Sequence, residues 1–318
     1  MSNTFSIILV LKDRSHYTKR LMERWNNDIR FPFHILIADG GKDKEIEEYL
    51  KTFSNFPNLD YTYFRFPYDK TLSDFYAKMC NIIDSVTTST TLLMDNDDFI
   101  SVAGINKCVD ILEDSNYTSA RGMMADLQGN NMYVEFPNSI VGDSALERIA
   151  DQTKHFHSNW HNVIRTSHLQ AAWNLIKIAS PTNFRIVDQL TGFLHSVWGN
   201  SYRGDFPWMF HEHGTERVSS EGQPLNTHFP AQDDWITSDY WLSEFNGMTE
   251  AVGSAIAYHD NIDIEEAMSF FRNIYPLKLP HLKDLLNDRI NEAHSLGYDY
   301  NKIQNMFTIM EKYNIPRR

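Results

Sequence analysis

Carboxylates are concentrated in the tetrad Asp95-Asn96-Asp97-Asp98, which directly follows the apolar run at residues 91–94. Neighbouring carboxylates near a protein surface repel one another by about 1–4 kcal/mol per pair. A divalent cation or a sugar hydroxyl between them would relieve this repulsion, and carboxylate oxygens suit Mg²⁺ or Mn²⁺. Open α/β sheets bind ligands at the carboxyl ends of their strands. The tetrad therefore predicts a ligand or cation site at a strand end, with a solvated acidic turn as the alternative.

Two other kinds of acidic site fit the tetrad poorly. A calcium loop of EF-hand type would need an oxygen ligand at Phe99, a glycine at Ile100 and a glutamate at Asn106. A haloacid-type phosphatase needs Thr or Val where Phe99 stands. A nucleotide-sugar transferase has neither requirement, because it uses such acids to hold a cation against the diphosphate leaving group.

The segments before the tetrad predict repeated β-α units. Strand-like runs at residues 5–11, 33–38, 59–66 and 91–94 alternate with amphipathic helical patterns. Thr71 and Asp74 form an approximate capping box at the start of one of these helices. Four successive β-α units predict an α/β fold with a doubly wound, mostly parallel sheet and flanking helices. Residues 12–14, 39–41 and 95–98 should then lie along one edge of the sheet.

The second half of the chain has a different pattern. A helix is expected to follow Asp188, and residues 202–213 read as an extended segment. From about Pro230 the chain becomes helical, and three amphipathic helices follow Asp263. We therefore predict a catalytic domain at residues 1–229 and a C-terminal helical extension at residues 230–318, which could serve as a homo-oligomer contact.

Composition disfavours several kinds of partner and compartment. The 318 residues carry a formal net charge of −13, with no basic block beyond Arg317-Arg318, so binding to nucleic acid is not expected. No apolar run approaches the roughly 18 residues that span a bilayer. Cys80 and Cys108 fit reduced thiols, and no signal-peptide pattern precedes the first strand. We therefore expect a soluble cytoplasmic protein without a transmembrane segment.

Taken in order, the motifs resemble family 2 glycosyltransferases of the GT-A fold over residues 4–220. The segments SIILVLKDRSHYTKRLMERW, ILIADGG, LSDFYAKMCNIIDSV and LLMDNDDF are similar to that family's first strand and helix, second strand, following helix and Asp-x-Asp-Asp motif. The resemblance implies that Asp39 accepts a hydrogen bond from uracil, that Asp95 contacts the ribose and that Asp97 binds the metal. It also implies nucleotide contacts at Leu11, Arg14, Lys78 and Asn96.

The resemblance extends to the acceptor half of the chain. IVDQLTGFLHSVWGN is similar to the family's acidic acceptor motif, which makes Asp188 the general base. A carboxylate in the first turn of a helix is also kept ionised by the helix dipole. Asp233 and Asp234 are the rival bases. In WMFHEHGTERVS, His213 aligns with the family's metal-binding histidine. The chain departs from the family's pattern at two positions: Val187, before Asp188, stands where Glu is common, and His211 stands where Arg is frequent.

The remaining histidines are not expected to bind a metal. His211 alternates with His213 along an extended chain, so only one of the two can face the ion. The cluster His155, His157 and His161 has no Cys or acid at ligand spacing to complete a closed tetrahedral site. We therefore expect these three side chains to form a polar surface, with an acceptor-facing wall as the alternative.

The functional expectation is an inverting, metal-dependent glycosyltransferase. It would use Mn²⁺ or Mg²⁺ to move a sugar from a nucleotide-diphosphate donor, expected to be a UDP-sugar, to a hydroxyl of a glycan, a lipid-linked or another acceptor. Two alternatives stay open: a nucleotide-sugar binding protein without catalysis, and a sugar-1-phosphate nucleotidyltransferase. The second would need a glycine-rich loop after the first strand, where the sequence reads LKDRSHY.

Overall fold

The computed structural model describes residues 4–27, 31–128, 131–136, 138–213 and 232–318. The strands in this part of the chain are β1 (Phe5–Leu11), β2 (His34–Asp39), β3 (Tyr61–Arg65), β4 (Thr90–Met94), β5 (Phe99–Ile100), β6 (Ser119–Gln128), β7 (Asn131–Glu135), β8 (Val163–Arg165) and β9 (Ser201–His213). The α-helices are α1 (Ser15–Asn27), α2 (Lys44–Lys51), α3 (Leu72–Asp84), α4 (Val102–Glu113), α5 (Ala145–Lys154), α6 (Thr166–Ala179), α7 (Phe184–Trp198), α8 (Gln232–Thr237), α9 (Asp239–Asp260), α10 (Ile264–Ile274), α11 (Lys283–Ser295) and α12 (Tyr300–Lys312).

The strands form one mixed sheet. Its order is β3-β2-β1-β4-β8-β6-β9-β5, and β7 pairs with β6 outside this path. The first four strands are parallel, whereas β8 pairs antiparallel with both β4 and β6. The predicted α/β class with a doubly wound sheet and flanking helices is confirmed. The carboxyl ends of β1, β2 and β4 therefore lie side by side, as the sequence predicts.

Burial explains why the central strands are so apolar. All five residues of β4 are buried, and six of the seven residues of β1 are buried. A parallel strand covered on both faces needs a nearly continuous apolar run, which residues 91–94 supply. Helix α3 begins where predicted, with Thr71 and Asp74 forming a reciprocal capping box. The strand that precedes the acidic tetrad is thus buried and paired on both edges, with β1 and with β8.

The described residues divide into two compact units. The first contains the described residues of Met1–Ser139, Trp160–Thr166 and Tyr202–Asn226, and the second contains those of Ile140–Asn159, Ser167–Ser201 and Thr227–Arg318. In the second unit, α5 and α7 pack with the C-terminal helices. The predicted domain boundary between residues 229 and 230 stays a prediction.

The second unit is helical and is organised around α9. This 22-residue helix is buried over most of its length and contacts α7, α10, α11 and α12. The three predicted helices after Asp263 are present as α10, α11 and α12. Helix α9 lies within the predicted helical extension, but its bounds were not predicted, because an almost fully buried helix lacks a clear amphipathic pattern. Among the described residues, none of the helices combines the length and apolar character needed to cross a membrane.

Candidate functional site

The loops after β1 and β2 are tied to each other. The Gly40 amide donates a hydrogen bond to the Leu11 carbonyl at 3.0 Å, and the Lys42 amide donates to Asp13 Oδ1 at 2.7 Å. Asp13 and Arg14 have positive φ angles of 56° and 57°. Non-glycine residues in this left-handed region are uncommon, and such strained residues concentrate at functional sites. The turn after β1 is therefore attached to the loop after β2 by these hydrogen bonds.

Asp39 is buried at the end of β2 with several protein donors on its carboxylate. Oδ1 accepts a hydrogen bond from the Gly41 amide at 2.8 Å. Oδ2 accepts from the Tyr63 hydroxyl at 2.6 Å and from the Arg65 guanidinium at 2.7 Å. The carboxylate thus fixes the loop after β2 and the Arg65 side chain, and its contact with uracil stays a prediction.

Lys78 forms a buried ion pair below the same edge. Its ammonium lies 2.5 Å from Asp69 Oδ2 and 3.0 Å from the Leu11 carbonyl oxygen. Burial lowers the pKa of Lys78 and raises the pKa of Asp69, while the opposite charges resist both shifts. Lys78 is only 2 % exposed. Its contacts therefore support the end of β1 and the loop containing Asp69, and the predicted nucleotide contact is untested.

The first three residues of the tetrad, Asp95, Asn96 and Asp97, have different surroundings. Burial, together with the nearby charge of Asp97, raises the pKa of Asp95 to about 6. The Asn96 amide donates to the Arg14 carbonyl at 3.3 Å and to the Thr18 hydroxyl at 2.9 Å. Asp97 forms an ion pair with Arg14. Asn96 therefore attaches the tetrad to α1, while Asp95 and Asp97 supply its charge.

Asp98 meets two histidines, His161 and His211, that the sequence separates widely. The β5–β9 register pairs Phe99 with Phe210, so Asp98 lies opposite His211, and these two side chains are hydrogen-bonded. His161 precedes β8, which pairs with β4, and its Nε2 lies 3.7 Å from Asp98 Oδ2. Ligand atoms from all three residues lie within 4.8 Å of one another. A carboxylate and two imidazoles form a donor set that fits a divalent cation.

Burial and charge set the protonation of this cluster. Burial raises the pKa of Asp98 and lowers the pKa of His161. Burial also opposes the charged form of His211, but the hydrogen bond and charge of Asp98 outweigh it and raise the pKa of His211 to about 9. Asp98 and His211 therefore form an ion pair or share a proton within the first unit.

No signal in the sequence indicated the neighbourhood of His161. It was expected on a polar surface, because no acid stands near it in sequence, yet the sheet brings Asp98 to it. Only the strand register could have revealed this, since Asp98 and His211 are cross-strand neighbours. The side chain of His213, the predicted metal ligand, lies outside the described part of the chain, as do those of Asp233 and Asp234.

The helix that carries Asp188 begins earlier than predicted. Asn183 is the N-cap and α7 starts at Phe184, so Asp188 lies beyond the first turn. The expected stabilisation of its ionised form by the helix dipole is therefore wrong, because that effect is confined to the terminal turn. Burial instead raises the pKa of Asp188, against an opposing hydrogen bond from Ser158. Its role as a base remains a prediction.

Comparisons with known proteins identify the fold. No protein-family model matches the chain, and no curated protein matches it in sequence. The structure of S. aureus TarS 1–349 in complex with UDP-GlcNAc matches with a TM-score of 0.54 and 15% identity, covering 98% of this chain and 91% of that one. The complex of the same fragment with UDP gives a TM-score of 0.53 and 13% identity over the same shares. A further structure of TarS 1–349 gives a TM-score of 0.51 and 13% identity, covering 93% of each chain. The chain has the GT-A glycosyltransferase fold, as predicted.

Proposed function

We propose that the protein is a glycosyltransferase that moves a sugar from a UDP-sugar to a hydroxyl acceptor with the help of Mn²⁺ or Mg²⁺. The observation that carries the proposal is the meeting of Arg14, Asp95 and the rest of the tetrad at the carboxyl ends of β1 and β4. Ligands of open α/β sheets bind at this edge. The matched TarS structures hold UDP or UDP-GlcNAc, which supports the same donor class here.

The charges at this edge suit a nucleotide diphosphate. The Arg14 guanidinium can bind phosphate oxygens, and the Asp95 carboxylate can accept hydrogen bonds from ribose hydroxyls. Acids alone would repel the diphosphate, so the tetrad requires a counter-ion. When bound, a divalent cation would neutralise the departing diphosphate. The buried strands on either side hold these groups in place and limit their reorganisation during transfer.

Asp188 is our proposed catalytic base. Inversion at the anomeric carbon requires one carboxylate to accept the proton of the attacking acceptor hydroxyl. The raised pKa of Asp188 gives its carboxylate a higher proton affinity than an exposed aspartate has. Because catalytic efficiency increases as the pKa of the base approaches the operating pH, this shift favours the role.

The proposal is tested by Mn²⁺-dependent release of UDP from a panel of UDP-sugars, with and without hydroxyl acceptors. Asp188→Asn should lower kcat by about 10²–10⁴ and leave the KM for the donor nearly unchanged, since a base acts in the transition state. Asp239→Asn, an exposed acid in the first turn of α9, is the control and should behave as the wild type.

Two outcomes would contradict the proposal. Full transfer by Asp188→Asn would exclude that residue as the base. UDP binding without turnover of any donor would instead indicate a nucleotide-sugar binding protein.

A further inference from the structure

We infer that the divalent cation is held by Asp98, His161 and His211, and that Asp97 is not one of its principal ligands. The cation site can be tested without any sugar donor, although its role in transfer rests on the proposed function. The inference differs from the ligand pair Asp97 and His213 that the sequence motifs suggest.

The spacing of the three side chains fits a shared ion. Two ligand atoms that are each about 2.1 Å from an ion lie about 3 Å apart at right angles and about 4.2 Å apart when opposite. Asp98 Oδ2 and His161 Nε2 are 3.7 Å apart. All three residues offer a ligand atom within 4.8 Å of the others. Small rotations of the side chains would therefore complete the coordination.

Unsatisfied polar atoms also point to a ligand at this cluster. Asp98 is 0 % exposed, and its Oδ2 has no hydrogen-bond partner among the described residues. His161 Nδ1 is likewise buried without such a partner. A buried polar group without a hydrogen-bond partner is destabilising, and a charged group without one is more so. A cation bound between the carboxylate and the imidazoles would satisfy Asp98 Oδ2.

The surroundings of the cluster leave a route for substrate. The side chains of His161 and His211 are 12% and 19% exposed, whereas that of Asp98 is fully buried. Of the three side chains, only the two imidazoles are in contact with solvent. Open positions on that side are what a catalytic cation needs to accept substrate oxygens.

Asp97 is a weaker candidate than its neighbour. Its carboxylate already forms an ion pair with Arg14, so its charge is balanced within the protein. The adjacent Asp98 lies next to two imidazoles, and its Oδ2 accepts no hydrogen bond from the described residues. We therefore expect Asp98 to bind the cation and Asp97 to remain paired with Arg14.

The donor set also predicts which ion binds better. Imidazole nitrogen favours transition metals, while Mg²⁺ prefers oxygen ligands and retains its water. Two imidazoles and one carboxylate should therefore bind Mn²⁺ more tightly than Mg²⁺.

The test is a titration of the full chain with Mn²⁺, followed by the electron paramagnetic resonance signal of free Mn²⁺, with and without UDP. Asp98→Asn and His161→Gln should each weaken Mn²⁺ binding by at least about tenfold, since even the outer partners of metal ligands affect affinity by about 10–100-fold. Asp97→Asn, made for comparison, should weaken Mn²⁺ binding less than either of these variants, because Asp97 is paired with Arg14.

Folding of the variants is checked by circular dichroism and thermal melting. If buried Asp98→Asn fails to fold, His211→Gln replaces it, because this side chain is partly exposed. The inference is overturned if the wild type binds no Mn²⁺ in either condition, if the three variants weaken binding equally, or if only Asp97→Asn weakens it. Mn²⁺ binding with the expected pattern, but no binding or turnover of UDP-sugars, would refute the proposed function and leave the cation site standing.

Discussion

His195 provides a quantitative test of the packing in the second unit. The side chain is 1% exposed within α7, and neither ring nitrogen has a hydrogen-bond partner among the described residues. Its ring meets the Trp198 ring edge-on, with centroids 6.2 Å apart. Burial lowers the pKa of His195 from 6.5 to about 3. The folded protein therefore holds this imidazole neutral, while the unfolded chain protonates it in mild acid.

The sign and size of the effect follow from linkage. Below pH 6.5 the unfolded state binds a proton that the folded state does not bind, so stability is lost as the pH falls from 6.5 towards 3. At pH 4.5, two units below the ordinary pKa, protonation stabilises the unfolded chain by about 2.7 kcal/mol. The contribution of this residue at pH 7.5 is close to zero by the same relation.

The assay is urea unfolding followed by tryptophan fluorescence at pH 7.5, 6.5, 5.5 and 4.5. His195→Leu removes the titrating ring and fills a similar volume, and His195→Gln removes it while keeping polar atoms. Relative to the wild type, both variants should gain about 2–3 kcal/mol in unfolding free energy between pH 7.5 and 4.5. Parallel pH profiles for wild type and both variants would show that His195 is not buried as a neutral ring.

Two further changes probe the edge of the sheet. Lys78→Met removes one partner of the buried pair with Asp69 and should cost about 3–5 kcal/mol of unfolding free energy, because the carboxylate is left uncompensated. The double variant Lys78→Met/Asp69→Leu should recover most of that loss when unfolding is measured in urea. An equal loss of stability in the single and the double variant would contradict a stabilising ion pair between Lys78 and Asp69. Asn96→Ala loses the hydrogen bonds to the Arg14 carbonyl and to Thr18 of α1, and it should cost about 1–3 kcal/mol of unfolding free energy while changing UDP affinity by less than about threefold. A large loss of UDP affinity, measured by calorimetry in a variant of normal stability, would instead make Asn96 a direct nucleotide contact.

The positions of the strand ends could be read from the sequence. The apolar runs at residues 5–11 and 91–94 match β1 and β4, and the capping box at Thr71 and Asp74 marks the start of α3. These features depend on local chemistry, namely side-chain periodicity and end caps. The same local reading placed residues 39–41 and 95–98 on one sheet edge, which the parallel pairing of β1 with β2 and β4 confirms.

Two features that the sequence did not predict depend on contacts between distant segments. His161 and His211 reach Asp98 only because β8 pairs with β4 and β9 pairs with β5, and no local pattern encodes that register. The division into two units likewise follows from the packing of α5 and α7 with the C-terminal helices. The early start of α7 is a local error, because Asn183 caps the helix five residues before Asp188.

The most direct test of the account is calorimetric titration of UDP into the wild-type protein, first with excess EDTA and then with Mn²⁺. The account predicts that UDP binds in the presence of Mn²⁺ at least about tenfold more tightly than in EDTA, because the ion links the acidic residues to the diphosphate. Absence of UDP binding in both conditions, or equal affinity in both, would contradict a cation-bridged nucleotide site at the end of β4.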